Sequence, residues 1–145
     1  REQAIAIYKR HYWDAIRADE LPHGIDHCVF DVAVNSGTRR AGILLQRALT
    51  ALGQRVTIDG YIGDLTLVAV SETSAIALLD AICDARAAFL AGLKGWPKYK
   101  NGWMHRVAEV RDVSSDLARE ALRSENDPAI MSLVRWWTGR PVNRE

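Results

Sequence analysis

The feature that most constrains this chain is the apolar stripe Ala41, Leu44, Leu45, Ala48, Leu49 and Leu52, which recurs at i, i+3, i+4, i+7, i+8 and i+11 and stops at Gly53. That is the repeat of a helix burying one face, ended by a glycine where left-handed backbone is favoured. Ile25, Cys28, Val29, Val32 and Ala33 follow the same rule after Pro22, and Ser36-Gly37 predicts the stop. Leu78, Ile82, Ala85 and Phe89 predict another helix, capped by Ser74 and closed at Gly92. Four more are expected: Glu2 to about Tyr12; a short one capped by Asp64 and running through Val70; one from about Trp103 with Val107, Val110 and Val113 on one side; and one opened by Asp127-Pro128, carrying Ile130, Leu133, Val134 and Trp137 and closed by Gly139. The breakers in Gly95-Trp96-Pro97 through Asn101-Gly102 predict a loop. Val56-Thr57-Ile58, Asp59-Gly60 and Tyr61-Ile62-Gly63 predict a tight hairpin. The expected fold class is mainly α, about seven helices with one small β-hairpin, undivided by any repeat or linker.

A chain of 145 residues, 48% hydrophobic, builds such a core without disulfides or a structural metal. Its 19 Lys+Arg against 18 Asp+Glu give a net charge of +1, which lacks the basic field of a nucleic-acid binder. No apolar run reaches the roughly 18 to 20 residues of a membrane span. Cys28 and Cys83 lie inside helical apolar patterns and read as buried thiols. His11, His23, His27 and His105 are scattered, so neither metal nor cofactor is expected, and no nucleophile elbow or phosphate loop is present. The chain opens at Arg1 in a helix pattern with no signal segment, and a fragment or processed product is expected.

His27, Asp31 and Asn35 stand at i, i+4 and i+8 on one helix, a polar stripe that suits either a cleft wall or a solvated Asp–His pair. Asn35-Ser36-Gly37 adds an amide, a hydroxyl and permissive backbone at the helix end. Trp13, Trp96 and Trp103, with Tyr12 and Tyr99, sit beside loop signals. Aromatic faces flanked by amides and carboxylates suit the CH faces and hydroxyl edges of sugars, and tryptophans also fill helical cores. Trp136-Trp137, with Arg135 and Arg140, suits docking on the domain, on a partner or on a membrane surface, the domain being the default.

The series Leu45-Gln46, Leu49, Leu52-Gly53, Asp59-Gly60-Tyr61-Ile62-Gly63, Thr66 and Ala69 resembles the signature of peptidoglycan-binding modules, with Asp64 where the usual proline stands. Tyr12-Trp13-Asp14 and Asp31 to Gly37 ahead of it, and Arg86, Phe89, Leu93, Trp96, Gly102-Trp103 and Arg106 behind it, resemble glycoside hydrolase family 108. That family comprises bacterial and phage muramidases, endolysins and proteins labelled secretion activators among them, with a lysozyme-like helical fold. The resemblance implies a lysozyme-like region over residues 1–113, with a peptidoglycan-binding-like part over about 37–113 and a C-terminal helical tail over 114–145. It implies peptidoglycan glycan strands as the partner and the periplasm or cell envelope as the place of action. It also implies substrate contacts by Tyr12, Trp13, His27, Ser36, Gly37, Asp59, Gly60, Gly63 and Trp103.

The family's catalytic acid is a Glu in a Glu-Gly-Gly-aromatic motif, and no Glu in this chain is followed by Gly. Glycoside hydrolysis needs a protonated carboxyl at the scissile oxygen. The catalytic acid therefore stays unassigned, with Asp31 and Asn35 as candidates for the supporting wall, and the chain is expected to be inactive alone. Loss of an acid-bearing helix is expected to leave an apolar patch near Trp13 and residues 31–37, which self-association would cover. The rival readings are a non-catalytic wall-binding module and a helix-turn-helix DNA binder built on Gly37, Arg39 and Arg40; the near-zero charge and apolar stripe argue against the latter.

Overall fold

The computed structural model describes residues 1–126. Six α-helices follow in chain order: α1 (Glu2–Tyr8), α2 (Ile25–Ser36), α3 (Thr38–Ala51), α4 (Asp64–Ser71), α5 (Ala75–Ala91) and α6 (Trp96–Glu125). A π-helical turn, Lys9–Trp13, continues α1, and a 3-10 turn spans Ala18–Glu20. The seventh expected helix, with Trp136-Trp137, lies outside the described residues.

The stripe on α3 is the centre of the core: Leu44, Leu45, Ala48 and Leu49 are fully buried. Each such leucine contributes on the order of 1.5–3 kcal/mol of burial free energy. Helix α3 packs between α2 and α5, and α5 and α2 both lie against α6. Gly37 joins α2 to α3 with a single residue at φ +89°, a value that side-chain-bearing residues adopt at a cost. Helix α3 turns most of its surface into the core and leaves Arg39, Arg47, Thr50 and Ala51 exposed.

No strand forms among the described residues, so the expected hairpin is corrected to an irregular loop between α3 and α4. The reason is a side chain from outside it. Gln46 Nε2 donates to Asp59 Oδ1 (3.0 Å) and to the Tyr61 carbonyl (2.9 Å), while Gly60 N–H donates to Gln46 Oε1 (2.8 Å). These bonds replace the ladder a second strand would have offered. Gly60, at φ +81°, lies so close to Gly42 of α3 that a Cβ on Gly42 would stand 2.1 Å from the Gly60 carbonyl oxygen.

Two helix starts also differ from expectation. Helix α6 begins at Trp96, not Trp103, because Pro97 falls in the first turn, where its missing N–H is not needed, and Gly102 is carried inside the helix. It runs unbroken through Val113. Asp64 is the first residue of α4 rather than its cap, and its carboxylate accepts from Arg17 Nη1 (2.7 Å). Ser74 does cap α5, accepting from the Ala77 N–H at 3.4 Å.

Candidate functional site

Helices α2, α5 and α6 bring a carboxylate and two guanidinium groups together. Asp31, one turn before the end of α2, accepts from Arg86 Nη1 of α5 (2.7 Å) and from Arg106 Nη2 of α6. Asp31 and Arg86 are 7% and 4% exposed, whereas the Arg106 side chain is half exposed. Burial pushes the Asp31 carboxyl up, but the Arg106 and Arg86 hydrogen bonds outweigh it and hold the group below the ordinary carboxylate range. Asn35 Nδ2 closes the cluster onto the Asp31 carbonyl (2.9 Å) and Oδ2 (3.3 Å). One turn earlier, Cys28 and Cys83 face each other with Sγ atoms 4.0 Å apart, and this contact together with burial pushes the Cys28 thiol up. Cys28 with Cys83 and Asp31 with Arg86 are thus successive rungs between α2 and α5.

Beside this cluster is a pocket of about 190 Å³ lined by Asn35, Ser36, Arg86, Leu90, Trp103 and Arg106. Trp103 stacks on Tyr99 (5.6 Å between centroids) and tilts against Trp96 (6.4 Å), so an aromatic wall stands next to the charged one. Of the residues expected from sequence, Asn35, Ser36 and Trp103 meet here, with Asp31 behind them and Gly37 adjoining in the chain. His27 does not join them: its Nδ1 lies 2.8 Å from Ser114 Oγ of α6, so the stripe divides.

Asp59 and Gly63 border a separate cleft of about 460 Å³ between the loop and α4, beside the exposed side chains of Tyr61, Leu65 and Val68. Asp59 and Gly60 also border a smaller hollow of about 230 Å³ with Thr38 and Arg39. The Tyr61 N–H and the Gln46 amide, both bonded to Asp59, hold its carboxyl below the usual range. Trp13 lies in a third place, an apolar groove of about 540 Å³ with Ile5, Tyr8 and Phe30. Its indole edge meets Phe30 and its Nε1 donates to Asp19 Oδ1 (2.8 Å), while Tyr12 stacks on Tyr8. Helix α1 buries no residue, and Ile5 and Tyr8 are exposed.

Sequence reasoning did not assign Arg86, Arg106 or Gln46 to a site. Arg86 had a readable signal: it continues Leu79, Ile82 and Cys83 at helical spacing, a charge inside an apolar stripe. Gln46 is likewise a buried polar residue on the core helix.

Chemically, this arrangement holds and orients. Hydrogen bonds keep the Asp31 and Asp59 carboxyls below the usual carboxylate range, as Arg17 does that of Glu20. A general acid needs the opposite displacement. No group of three or more metal-ligating side chains forms among the described residues.

A helical core with a small polar pocket, one aromatic wall and a charged floor is suited to holding a sugar or its substituents. Residues 1–37 match the family model described as Glycosyl hydrolase 108, and residues 40–108 match that described as Predicted Peptidoglycan domain. The chain is similar to the solved structure of Brucella abortus SagA, at 38% identity and a TM-score of 0.76, over 82% of this chain and 66% of that one. The chain thus spans just under two thirds of the length of that protein. No curated protein matches it. The chain is similar to glycoside hydrolase family 108 over its first 37 residues, with a peptidoglycan-domain-like region following them.

Proposed function

We propose that this chain forms the glycan-holding and wall-binding part of a peptidoglycan N-acetylmuramidase, and that it binds peptidoglycan without turning it over. The observation that carries the reading is the adjacency of the two family matches on one helical fold, one ending and the other starting beside the α2–α3 joint. In this reading Asn35, Ser36, Gly37 and Trp103 face the glycan strand, supported by Asp31. Asp59, Gly60 and Gly63 serve the wall-binding part, and Tyr12 and Trp13 a neighbouring stretch of strand. His27 is a structural contact to α6. The site of action is the cell envelope, including the periplasm, in phage lysis or in wall remodelling for secretion. No described helix is long and apolar enough to cross a membrane.

The absence of turnover follows from the carboxyls. No Glu-Gly-Gly motif is present, and the well-placed Asp31 is locked as an anion between two arginines. General-acid catalysis alone is worth about 10²- to 10⁴-fold, so its loss removes measurable hydrolysis. The same observation favours a second reading, a wall-binding module without catalysis.

The test uses purified sacculi. The chain should co-sediment with them and release no soluble muropeptides. Fusing the family's Glu-Gly-Gly-bearing segment ahead of Arg1 should give hydrolysis, and the fusion with that Glu changed to Gln should bind without cutting. Binding with no hydrolysis from any fusion favours the module. Failure to sediment overturns both readings, and turnover by residues 1–145 alone overturns the account of the missing acid.

A further inference from the structure

The pocket between α2, α5 and α6 carries more positive charge than its structural role requires. Two guanidinium groups, Arg86 and Arg106, share one carboxylate, Asp31. Among the described residues the other anion paired with them is Glu109, whose Oε2 stands 4.0 Å from Arg106 Nη1 with both side chains more than half exposed, so water screens that pair. Arg86 is 4% exposed and its Nε has no hydrogen-bond partner. A buried donor left in this state is costly unless something else answers its charge.

The remaining wall selects for shape. The volume of about 190 Å³ admits a substituent or the edge of a sugar, not a disaccharide. Trp103 and Leu90 give an apolar side, and Ser36 a hydroxyl at the rim.

We infer that this pocket is a carboxylate-binding site, in which Arg106 supplies the reachable donors, Arg86 the buried positive charge behind them, and Trp103 with Leu90 the apolar wall against which the ligand's carbon skeleton lies. The identity of the ligand rests on the peptidoglycan reading above, since that polymer carries carboxylates in two chemical settings: the lactyl group of N-acetylmuramic acid on strands stripped of peptide, and the free carboxyls of the stem peptides. Neither N-acetylglucosamine nor an amidated lactyl group carries one. A guanidinium recognises a carboxylate through paired N–H donors, so discrimination falls on charge and geometry together.

The test is an NMR titration of the full chain with three probes: N-acetylmuramic acid, N-acetylglucosamine and a free stem tetrapeptide. The expected result is that N-acetylmuramic acid, the tetrapeptide or both shift the Asn35, Ser36 and Trp103 indole signals, with N-acetylglucosamine at least tenfold weaker. Which of the two carboxylates acts identifies the source. R106Q, on a half-exposed side chain, should keep the fold and weaken the carboxylate response at least tenfold; R106K should recover part of it. Equal response to N-acetylglucosamine, shifts confined to residues 54–72, or an R106Q chain that is folded and binds unchanged would each overturn the inference. Sacculus sedimentation separates this outcome from the reading beneath it. Retention on sacculi without carboxylate discrimination defeats the pocket alone, whereas carboxylate binding without retention defeats the peptidoglycan reading and leaves the pocket standing.

Discussion

The α2–α5–α6 junction and the 54–63 loop each depend on one buried polar side chain, yet they use opposite chemistry. At the junction Arg86 and Arg106 answer a buried charge, Asp31. In the loop Gln46, a neutral amide 1% exposed, answers backbone groups, Thr66 and the carboxylate of the exposed Asp59. A charge removed from water is expensive to leave alone, whereas an unmet amide or carbonyl costs less and is partly rescued by solvent. The junction is therefore brittle and the loop yielding. The smaller pocket sits against the rigid part, and an open cleft beside the one that gives.

The strongest way to break this comparison is to orphan the charge. R86L leaves Asp31 buried with one half-exposed guanidinium, Arg106, and the Asn35 amide as partners, and should lower stability by about 3–5 kcal/mol in urea unfolding. Replacing Asp31 by Leu in the same chain should recover much of that loss, because two apolar side chains then meet where two charges stood. If R86L costs no more than an average core change of about 1 kcal/mol, the junction is not charge-locked.

That asymmetry also governs what the sequence reveals. Helices α2, α3 and α5 are legible because Gly37, Gly53 and Gly92 stand where the apolar stripes end. The loop was misread because Asp59-Gly60 is a true turn signal, while the group satisfying it, Gln46, lies on another element. The start of α6 was misread because Pro97 and Gly102 are breakers only away from a first turn or without tertiary support. Asn35, Ser36 and Trp103, which the sequence singles out by residue type, stand together around the small pocket. Their partner Arg86 was visible only as a charge in an apolar stripe, and nothing local says that it meets Asp31 across two helices. The apolar groove at Trp13 runs toward Ile5 and Phe30 and not along residues 31–37.

The loop should yield with a smaller cost. Q46A removes the acceptor of Gly60 N–H and the donor to Asp59 and Tyr61, and should destabilise by about 1–3 kcal/mol. Hydrogen exchange should then rise at Gly60 and Tyr61 and not at Leu78 or Ile82. G42A should loosen the same segment by a different route, since its Cβ cannot share space with the Gly60 carbonyl. Faster exchange spread evenly over α2, α3 and α5 in either variant would mean that the loop is not separable from the core.

A gentler probe of the junction is acid. The Asp31 carboxyl lies lower folded than unfolded, so the folded chain binds fewer protons as pH drops toward the unfolded value of about 3.9. Its stabilisation is complete above that value and disappears as pH falls through the lower, folded one. Unfolding midpoints should decline below about pH 4, and in R106Q the decline should be shallower and level off at a higher pH, because the folded carboxyl has lost part of what holds the proton off. An unchanged acid limb in R106Q would detach Arg106 from Asp31.

The smallest effect compares two helix starts in the yielding half. Ser74 makes a cap bond to the Ala77 N–H, but a long one at 3.4 Å, so S74A should cost only about 0.5 kcal/mol, the low end for such caps. Asp64, which the sequence marks as the cap of α4, makes no cap bond; its exposed carboxylate meets Arg17 instead. D64A should leave the unfolding midpoint unchanged within error at high salt, where such a pair is screened, while the S74A loss persists because a neutral cap bond is indifferent to ionic strength. A salt-independent loss in D64A matching that of S74A would show that Asp64 caps α4 in solution after all, and that the loop ahead of it is set by its own turn chemistry more than by Gln46.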